Sequence, residues 1–444
     1  MSRFSLACLV LLGGVSLGCA ATSPYDRAWV GQELQRETGH ALGDPTEAPS
    51  LPPGIRDASA LDEDDVVALA LWNSPSFAAE LAQLGASRAD LAEAGALPNP
   101  TLSLLFPIGP RQLELSVLAP IAALVQRPFR VKAAKLDVER AARGLLQRGL
   151  DLVRDARLAW IDVEAAKARA AARQDLLQTW QNVAKVARAR HEAGDAPAFE
   201  AAAATADATD AEDQNERAIT DLAAAVQRLR LVVGLAGGAL GQNLGTRASP
   251  LDEHAPAEEP SLVALALAAR PDVRAAEITV EAAGERLGWE KSRIFTLLGR
   301  FDLKPIGPQG GPPLLPLPGV QMDVPIFNWN PGGIGRAEAE LSAAALRYRL
   351  AQQGVATDIR VSRRELVQAL ASLRRFRDRV LPLLEKAAGV TFRAFEAGAE
   401  PYLAVLEATR RQRDARLRLI DLEAEVRRAR ANLDRHVGRN HETR

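Results

Sequence analysis

The 444-residue chain has little of what enzymes and nucleic-acid binders are usually built from. It has two cysteines, Cys8 and Cys19, which leaves no room for a disulfide framework or a cysteine-based metal site. Its five histidines (His40, His191, His254, His436 and His441) are scattered, and none forms a His-x-x-x-His pair on a helix face. No Gly-Lys-Ser or Gly-Lys-Thr follows a glycine-rich loop, so a phosphate-cradling motif is absent as well. Excess positive charge is missing too: 55 basic residues face 56 acidic ones, against the basic stripe expected of a nucleic-acid binder. No catalytic residue, metal ligand or cofactor is expected, and the chain reads as a non-enzyme. Aromatics make up only 5% of it while alanine abounds, a composition suited to long, slim helices packed side by side. After Cys19 no uncharged run reaches the length of a spanning helix, so a membrane could be crossed only by β-strands.

What is present starts with a leader. Arg3 supplies a positive start, and Leu6 to Leu17 form an apolar stretch too short to span a bilayer. Residues 1–18 read as a signal peptide, and Ser16-Leu17-Gly18-Cys19 resembles a bacterial lipoprotein signal with Cys19 as the lipidated first residue. Ser16 stands where a leucine is usual, and the alternative is an ordinary secretory signal cut nearby. Ala20 rather than aspartate after the cysteine fits sorting to the outer membrane. Residues 19–60, proline-rich near Pro45 to Pro53, read as an extended, lipid-anchored arm.

The rest is a duplication. Val67 to Leu71 return as Val263 to Leu267, each followed by a proline, Pro75 and Pro271. Ala119-Pro120-Ile121 returns as Val324-Pro325-Ile326, and Glu192-Ala193-Gly194 as Glu396-Ala397-Gly398. From those glycines the register holds through Leu229/Leu433 to Gly234/Gly438. Residues 61–240 form repeat 1, 241–260 a linker, 261–438 repeat 2 and 439–444 a polar tail.

Each repeat reads as helix, two strands, long helix, tight turn, long helix. Leu61 to Leu97 is one expected helix, ending at Pro98-Asn99-Pro100. Leu113, Leu115 and Val117 alternate with polar residues, and Thr101 to Phe106 is their expected strand partner, placing strands at about 100–120. In repeat 2, Phe295 to Lys304 and Val320 to Ile326 alternate likewise (strands at about 293–327), with Pro305 to Pro318 as an exposed hairpin loop. Leu146, Leu150, Val153, Trp160 and Val163 form a coiled-coil-like seam, matched by Leu366, Leu370, Leu373 and Val380. Pro382 should kink or split the second long helix. Phe295, Phe301, Phe327 and Trp329, near strand ends, would sit where an aromatic girdle meets a membrane interface, the alternative being ordinary packing.

Four strands per chain cannot close a barrel, since single-chain barrels need at least about eight, so closure requires several copies. The ordered motifs, from Leu97-Pro98-Asn99-Pro100 through Val324-Pro325-Ile326-Phe327 to Phe395-Glu396-Ala397-Gly398 and Val405-Leu406-Glu407-Ala408, resemble those of the TolC family of outer-membrane efflux channels. That resemblance implies a mainly α fold with a membrane β-barrel. A homotrimer would share twelve strands, and long coiled-coil hairpins would form a periplasmic tunnel. It implies a periplasmic adaptor (a membrane fusion protein) and an inner-membrane pump as partners, the pump being of the resistance-nodulation-division class. By the same resemblance Glu407, supplemented by Glu400, would ring the pore gate, while Ala404 fills the family's other acidic position. The alternative for Glu407 is a solvated helix charge. The adaptor would touch the turns at Gly194 and Asp195 and at Gly398, Ala399 and Tyr402. The short first hairpin and Arg270-Pro271-Asp272 look like heavy-metal-type members, though the exported substrate stays open. Two rival functions remain: a lipid-anchored periplasmic scaffold without a pore, and the outer-membrane duct of a type I protein secretion system.

Overall fold

The computed structural model describes residues 21–44, 48–106, 114–237, 239–305 and 314–438. The leader, Cys19, the tail at 439–444 and the stretches joining the strands of each hairpin lie outside the described residues. The elements run in the same order twice. Helices α2 (Glu63–Asn73) and α3 (Pro75–Gly95) lead to strands β1 (Thr101–Leu105) and β2 (Glu114–Pro120), then to α4 (Ala122–Glu192) and α5 (Ala198–Val232). After a short helix α6 (Ala239–Gln242), α7 (Glu259–Ala269) and α8 (Pro271–Ser292) lead to β3 (Thr296–Pro305), β4 (Leu314–Asp323) and α9 (Pro331–Arg375). A five-residue π-turn (Phe376–Val380), α10 (Leu381–Glu396) and α11 (Tyr402–Val437) complete the second run. Two compact units emerge, and each draws segments from both repeats: one gathers 80–145 and 271–353, the other 31–79, 146–270 and 354–444.

The helix expected over 61–97 is two helices. Ser74 is extended at ψ 112° because the ring of Pro75 disfavours the helical region for its predecessor. The second copy breaks the same way, with Arg270 at ψ 122° before Pro271. The first turn of α2 is held by a capping box, in which Asp62 Oδ1 accepts from the Asp65 N–H at 2.9 Å and Asp65 Oδ2 accepts from the Asp62 N–H at 3.1 Å. Acidic Glu63, Asp64 and Asp65 complement the helix dipole there.

The N-terminal arm is not simply extended, since it contains helix α1 (Arg27–Thr38). Leu34 on this helix is buried, and Gly149 of α4 makes the room for it: a Cβ on Gly149 would lie 2.5 Å from Leu34 Cδ2. Further along the arm, Ser50 is stitched to α2 by Trp72 Nε1 at 3.0 Å and by both amide atoms of Asn73 at 2.9 Å.

The core of the second unit centres on Trp160, fully buried among Leu61, Val66, Leu69, Ala156, Leu229 and Val233. Its indole N–H donates to the Leu61 carbonyl at 3.3 Å, and Arg427 lies over its ring at 5.3 Å. The seam residues Leu146, Leu150, Val153, Trp160 and Val163 are all buried, as are Leu366, Leu370 and Leu373. Val380, expected to continue the second seam, is exposed instead. The π-turn adds a residue per turn just before Pro382 and so rotates Val380 off the packed face. The linker is tied down rather than loose. Arg427 Nη2 donates to the Ser249 carbonyl at 2.6 Å, Arg430 pairs with Asp252 at 3.1 Å, and Arg377 pairs with Glu253 at 2.5 Å.

Candidate functional site

The four strands form one antiparallel sheet in the order β1-β2-β3-β4, so β1 and β4 are its free edges. Register and the two-residue period of strands divide its side chains between two faces. Leu102 pairs with Val117 and Val117 with Phe301; Leu104 pairs with Leu115 and Leu115 with Leu303. Gly299 faces Ala119 and Val320, and Leu297 faces Met322. Every one of these residues is apolar, and Leu102, Leu104, Phe301, Val320 and Met322 are exposed. The other face carries the polar residues, with Ser103, Ser116 and Asp302 in one row and Thr101, Leu118 and Arg300 in the next. One face of the sheet is thus wholly apolar, while the reverse gathers the polar side chains together with Leu105, Leu118, Leu298 and Leu317. That division suits a boundary between hydrocarbon and water. Ten residues in β3, tilted as barrel strands are, rise about 25 Å, the height of an outer-membrane apolar band.

Strand limits differ from expectation on one side. β4 starts at Leu314 and ends at Asp323, so the expected loop over 305–318 contributes strand and Val324 to Phe327 lie beyond it. Pro318 is tolerated in β4 because an edge strand can turn its missing N–H away from the ladder. Of the four girdle candidates, Phe301 lies within β3 on the apolar face, and Phe295, Phe327 and Trp329 flank the strands. All four are exposed, Phe327 to 97%. Phe106, directly after β1, is exposed as well and belongs with them; its place at a strand end was the signal for it.

The second candidate region is the pair of helix reversals, both in the second unit. Gly194 and Gly398 have φ of 84° and 76°, the left-handed region open to glycine. Each closes a Schellman motif: Asp195 N–H reaches the Arg190 carbonyl at 2.8 Å, and Ala399 N–H reaches the Ala394 carbonyl at 2.8 Å. Gly194, Asp195, Gly398, Ala399 and Glu400 are exposed. Tyr402 is not: it is 5% exposed, among Trp180, Val183, Ala204, Phe395 and Val405. Unlike the other turn residues expected at the adaptor contact, Tyr402 packs its ring inward, and its hydroxyl donates to Asp207 of the other hairpin. Burial and the Asp207 carboxylate raise the phenol pKa, keeping the O–H a donor. Arg410 Nη2 also reaches Asp207, at 3.3 Å, while Arg190 spans the gap by donating to the Glu400 carbonyl at 3.4 Å and covering the Phe395 ring at 5.0 Å.

The apolar surface of the turns comes instead from Phe199 and Leu403, 70% and 71% exposed. They occupy matching positions two residues past Pro197 and Pro401, so the duplication register was the signal that marks them. Glu407 is exposed and pairs with Arg411 one helical turn on, at 2.7 Å. Tyr402→Phe keeps the ring and removes the cross-hairpin bond. It should cost about 1.5 kcal/mol, the low end for a hydrogen bond to a charged group. Thermal unfolding in detergent would show it, and a midpoint identical to that of the unmutated protein would mean that Asp207 and Tyr402 are not coupled.

A mainly helical chain of paired hairpins carrying a small sheet is a fold shared with solved outer-membrane proteins. Residues 318–439 match the sequence model of the family described as outer membrane efflux protein, which bears out the resemblance read from the sequence. The chain is 24% identical over 385 residues to the cobalt-zinc-cadmium resistance protein CzcC of Cupriavidus metallidurans, covering 86% of this chain and 91% of that protein. The fold matches the outer-membrane channel OprN with a TM-score of 0.73 at 16% identity, covering 85% of this chain and 90% of that one. It matches the outer membrane protein VceC of Vibrio cholerae with a TM-score of 0.72 at 17% identity, covering 86% and 97%.

Proposed function

We propose that this protein is the outer-membrane exit duct of a tripartite efflux pump, passively conducting solutes delivered by an inner-membrane transporter through a periplasmic adaptor. The observation that carries this reading is the sheet: one face is uniformly apolar, and both edges, β1 and β4, are open. Open edges in hydrocarbon leave backbone N–H and C=O groups unsatisfied at several kcal/mol each, so the edges must meet other copies. Three chains of four strands give a closed twelve-stranded barrel, with the helical hairpins continuing the duct. The adaptor docks on the hairpin turns at Gly194, Asp195, Gly398 and Ala399, with Phe199 and Leu403 as its apolar footholds. Glu407 and Glu400 contribute carboxylates to the mouth of the duct, Cys19 carries the lipid anchor, and the pump is of the resistance-nodulation-division class. The likeness to a cobalt-zinc-cadmium resistance protein supports divalent metal cations as cargo.

The test is the native mass of the mature protein extracted from outer membranes in mild detergent. A trimer that falls apart or aggregates when detergent is withheld is the expected result. A monomer, or a dimer indifferent to detergent, would overturn the duct and favour a periplasmic scaffold.

A further inference from the structure

The polar face of the sheet holds one feature that a water-filled lumen does not by itself require. Among the described strands, charged residues other than Arg300 and Asp302 stand at or next to strand ends: Glu114 opens β2, Lys304 is next to last in β3, and Asp323 closes β4. Arg300 and Asp302 occupy the fifth and seventh positions of the ten-residue β3, two residues apart and therefore on one face. They are bonded to each other: Arg300 Nε donates to Asp302 Oδ2 at 2.8 Å and to Oδ1 at 3.0 Å. Asp302 is buried, whereas the Arg300 side chain is 42% exposed. The single Nε thus takes up both carboxylate oxygens, while the Arg300 side chain stays partly exposed. Around it the face is mild, with Leu118 and Gly319 opposite Arg300 and with Ser116 and Leu317 opposite Asp302.

We propose that Arg300, held in place by Asp302, is the charge-selecting group of the barrel lumen, and that it favours small anions and anionic solutes over cations of the same size. The inference rests on the duct reading, because only closure around a threefold axis turns one guanidinium into a ring of three. Rings of arginine or lysine favour anions and rings of carboxylates favour cations, since a low-dielectric wall focuses their field onto the aqueous path. Asp302 moderates the ring rather than cancelling it. Its side chain is 13% exposed against 42% for Arg300, so the guanidinium is the more accessible of the two charges. Cation cargo would still pass, with its charge balanced by anions gathered at the ring.

The experiment is the reversal potential of the full-length protein in planar bilayers under a potassium chloride gradient. Arg300→Gln, which removes this guanidinium, should lower the chloride-to-potassium permeability ratio about two- to fivefold, a range set by screened interactions at about 10 Å. Asp302→Asn, at the less exposed of the two charges, should raise the ratio by a smaller factor, and the double variant should therefore stay below the unmutated channel. Pores that open normally in all variants with an unchanged ratio would overturn the role of Arg300. Failure of the unmutated protein to form any pore would instead overturn the duct itself. A second measurement needs neither charge variant. With Leu118→Cys, the neighbour of Arg300 in register, the rate of an anionic thiosulfonate reagent relative to its rate with a free thiol should exceed the same relative rate of a cationic one. Equal relative rates, or a higher one for the cationic reagent, would also overturn the proposal.

Discussion

Val117→Arg should abolish accumulation of the outer-membrane trimer, while Leu118→Arg, one residue along the same strand, should leave it nearly intact. Val117 sits in the middle of β2, between Leu102 and Phe301 on the apolar face. If that face meets lipid, each guanidinium placed at mid-bilayer depth costs about 2–4 kcal/mol. Three copies would carry the penalty together in one assembly, against a net folding stability of about 5–15 kcal/mol for a typical protein. Leu118 lies across from Arg300 on the polar face, where an added charge meets water and Asp302 is a row away. The comparison is between neighbours on one strand, so effects on expression, backbone propensity and secretion largely cancel. Outer-membrane fractions analysed for heat-modifiable trimer would give the answer. Equal tolerance of both arginines would show that the apolar face does not touch lipid.

The second large effect is expected far along the chain from the sheet, in the core that supports the helices. Arg157 is 9% exposed and pairs with Asp434 of α11 at 3.1 Å, with Asp434 itself 10% exposed and Glu63 of α2 at 3.5 Å. Both charges have given up most of their hydration, and the Nη1–Oδ2 bond offsets part of that cost while Arg157 Nε and Asp434 Oδ1 stay without a hydrogen-bond partner among the described residues. Arg157→Met keeps much of the side-chain volume but strips Asp434 of this guanidinium, for which a cost of about 3–5 kcal/mol is expected. Asp434→Leu should cost a similar amount. The double variant Arg157→Met/Asp434→Leu should recover most of the loss, because removing both charges leaves neither one buried alone. Unfolding followed by circular dichroism in detergent would measure all three. A double variant as unstable as the sum of the single ones would mean that the two residues act separately.

The elements with a local signature were legible from the sequence. Alternation over Leu113 to Val117 and over Phe295 to Lys304 marked strands, because a strand sends successive side chains to opposite faces whatever it packs against. Gly194 and Gly398 marked the reversals because only a residue at ease with positive φ closes a Schellman motif cheaply. Pro382 marked the interruption of the second long helix for a reason equally local, its missing N–H. The break at Pro75 had the same kind of signal, yet the apolar pattern running across it suggested one helix where the structure has two.

Legibility ended where residues distant in sequence had to meet. Nothing near Leu34 announces a helix, because its stability comes from a notch at Gly149, 115 positions away along the chain. Tyr402 looked like a surface residue beside an exposed turn until Asp207 and Phe395 were brought to it from other helices. Val380 left its seam because a π-turn shifted the phase by one residue, which heptad arithmetic does not foresee. The pairing of Arg300 with Asp302 follows from spacing alone, but their isolation at the centre of the polar face depends on the register of three neighbouring strands. By itself, then, the sequence determined the duplicated order of elements, the strands, the hairpins and their turns, whose signals lie within a few residues of each element. Tertiary structure decided which side chains are buried, which turn residues face outward and which charges share a face, because those depend on packing between segments whose separation leaves no periodic trace.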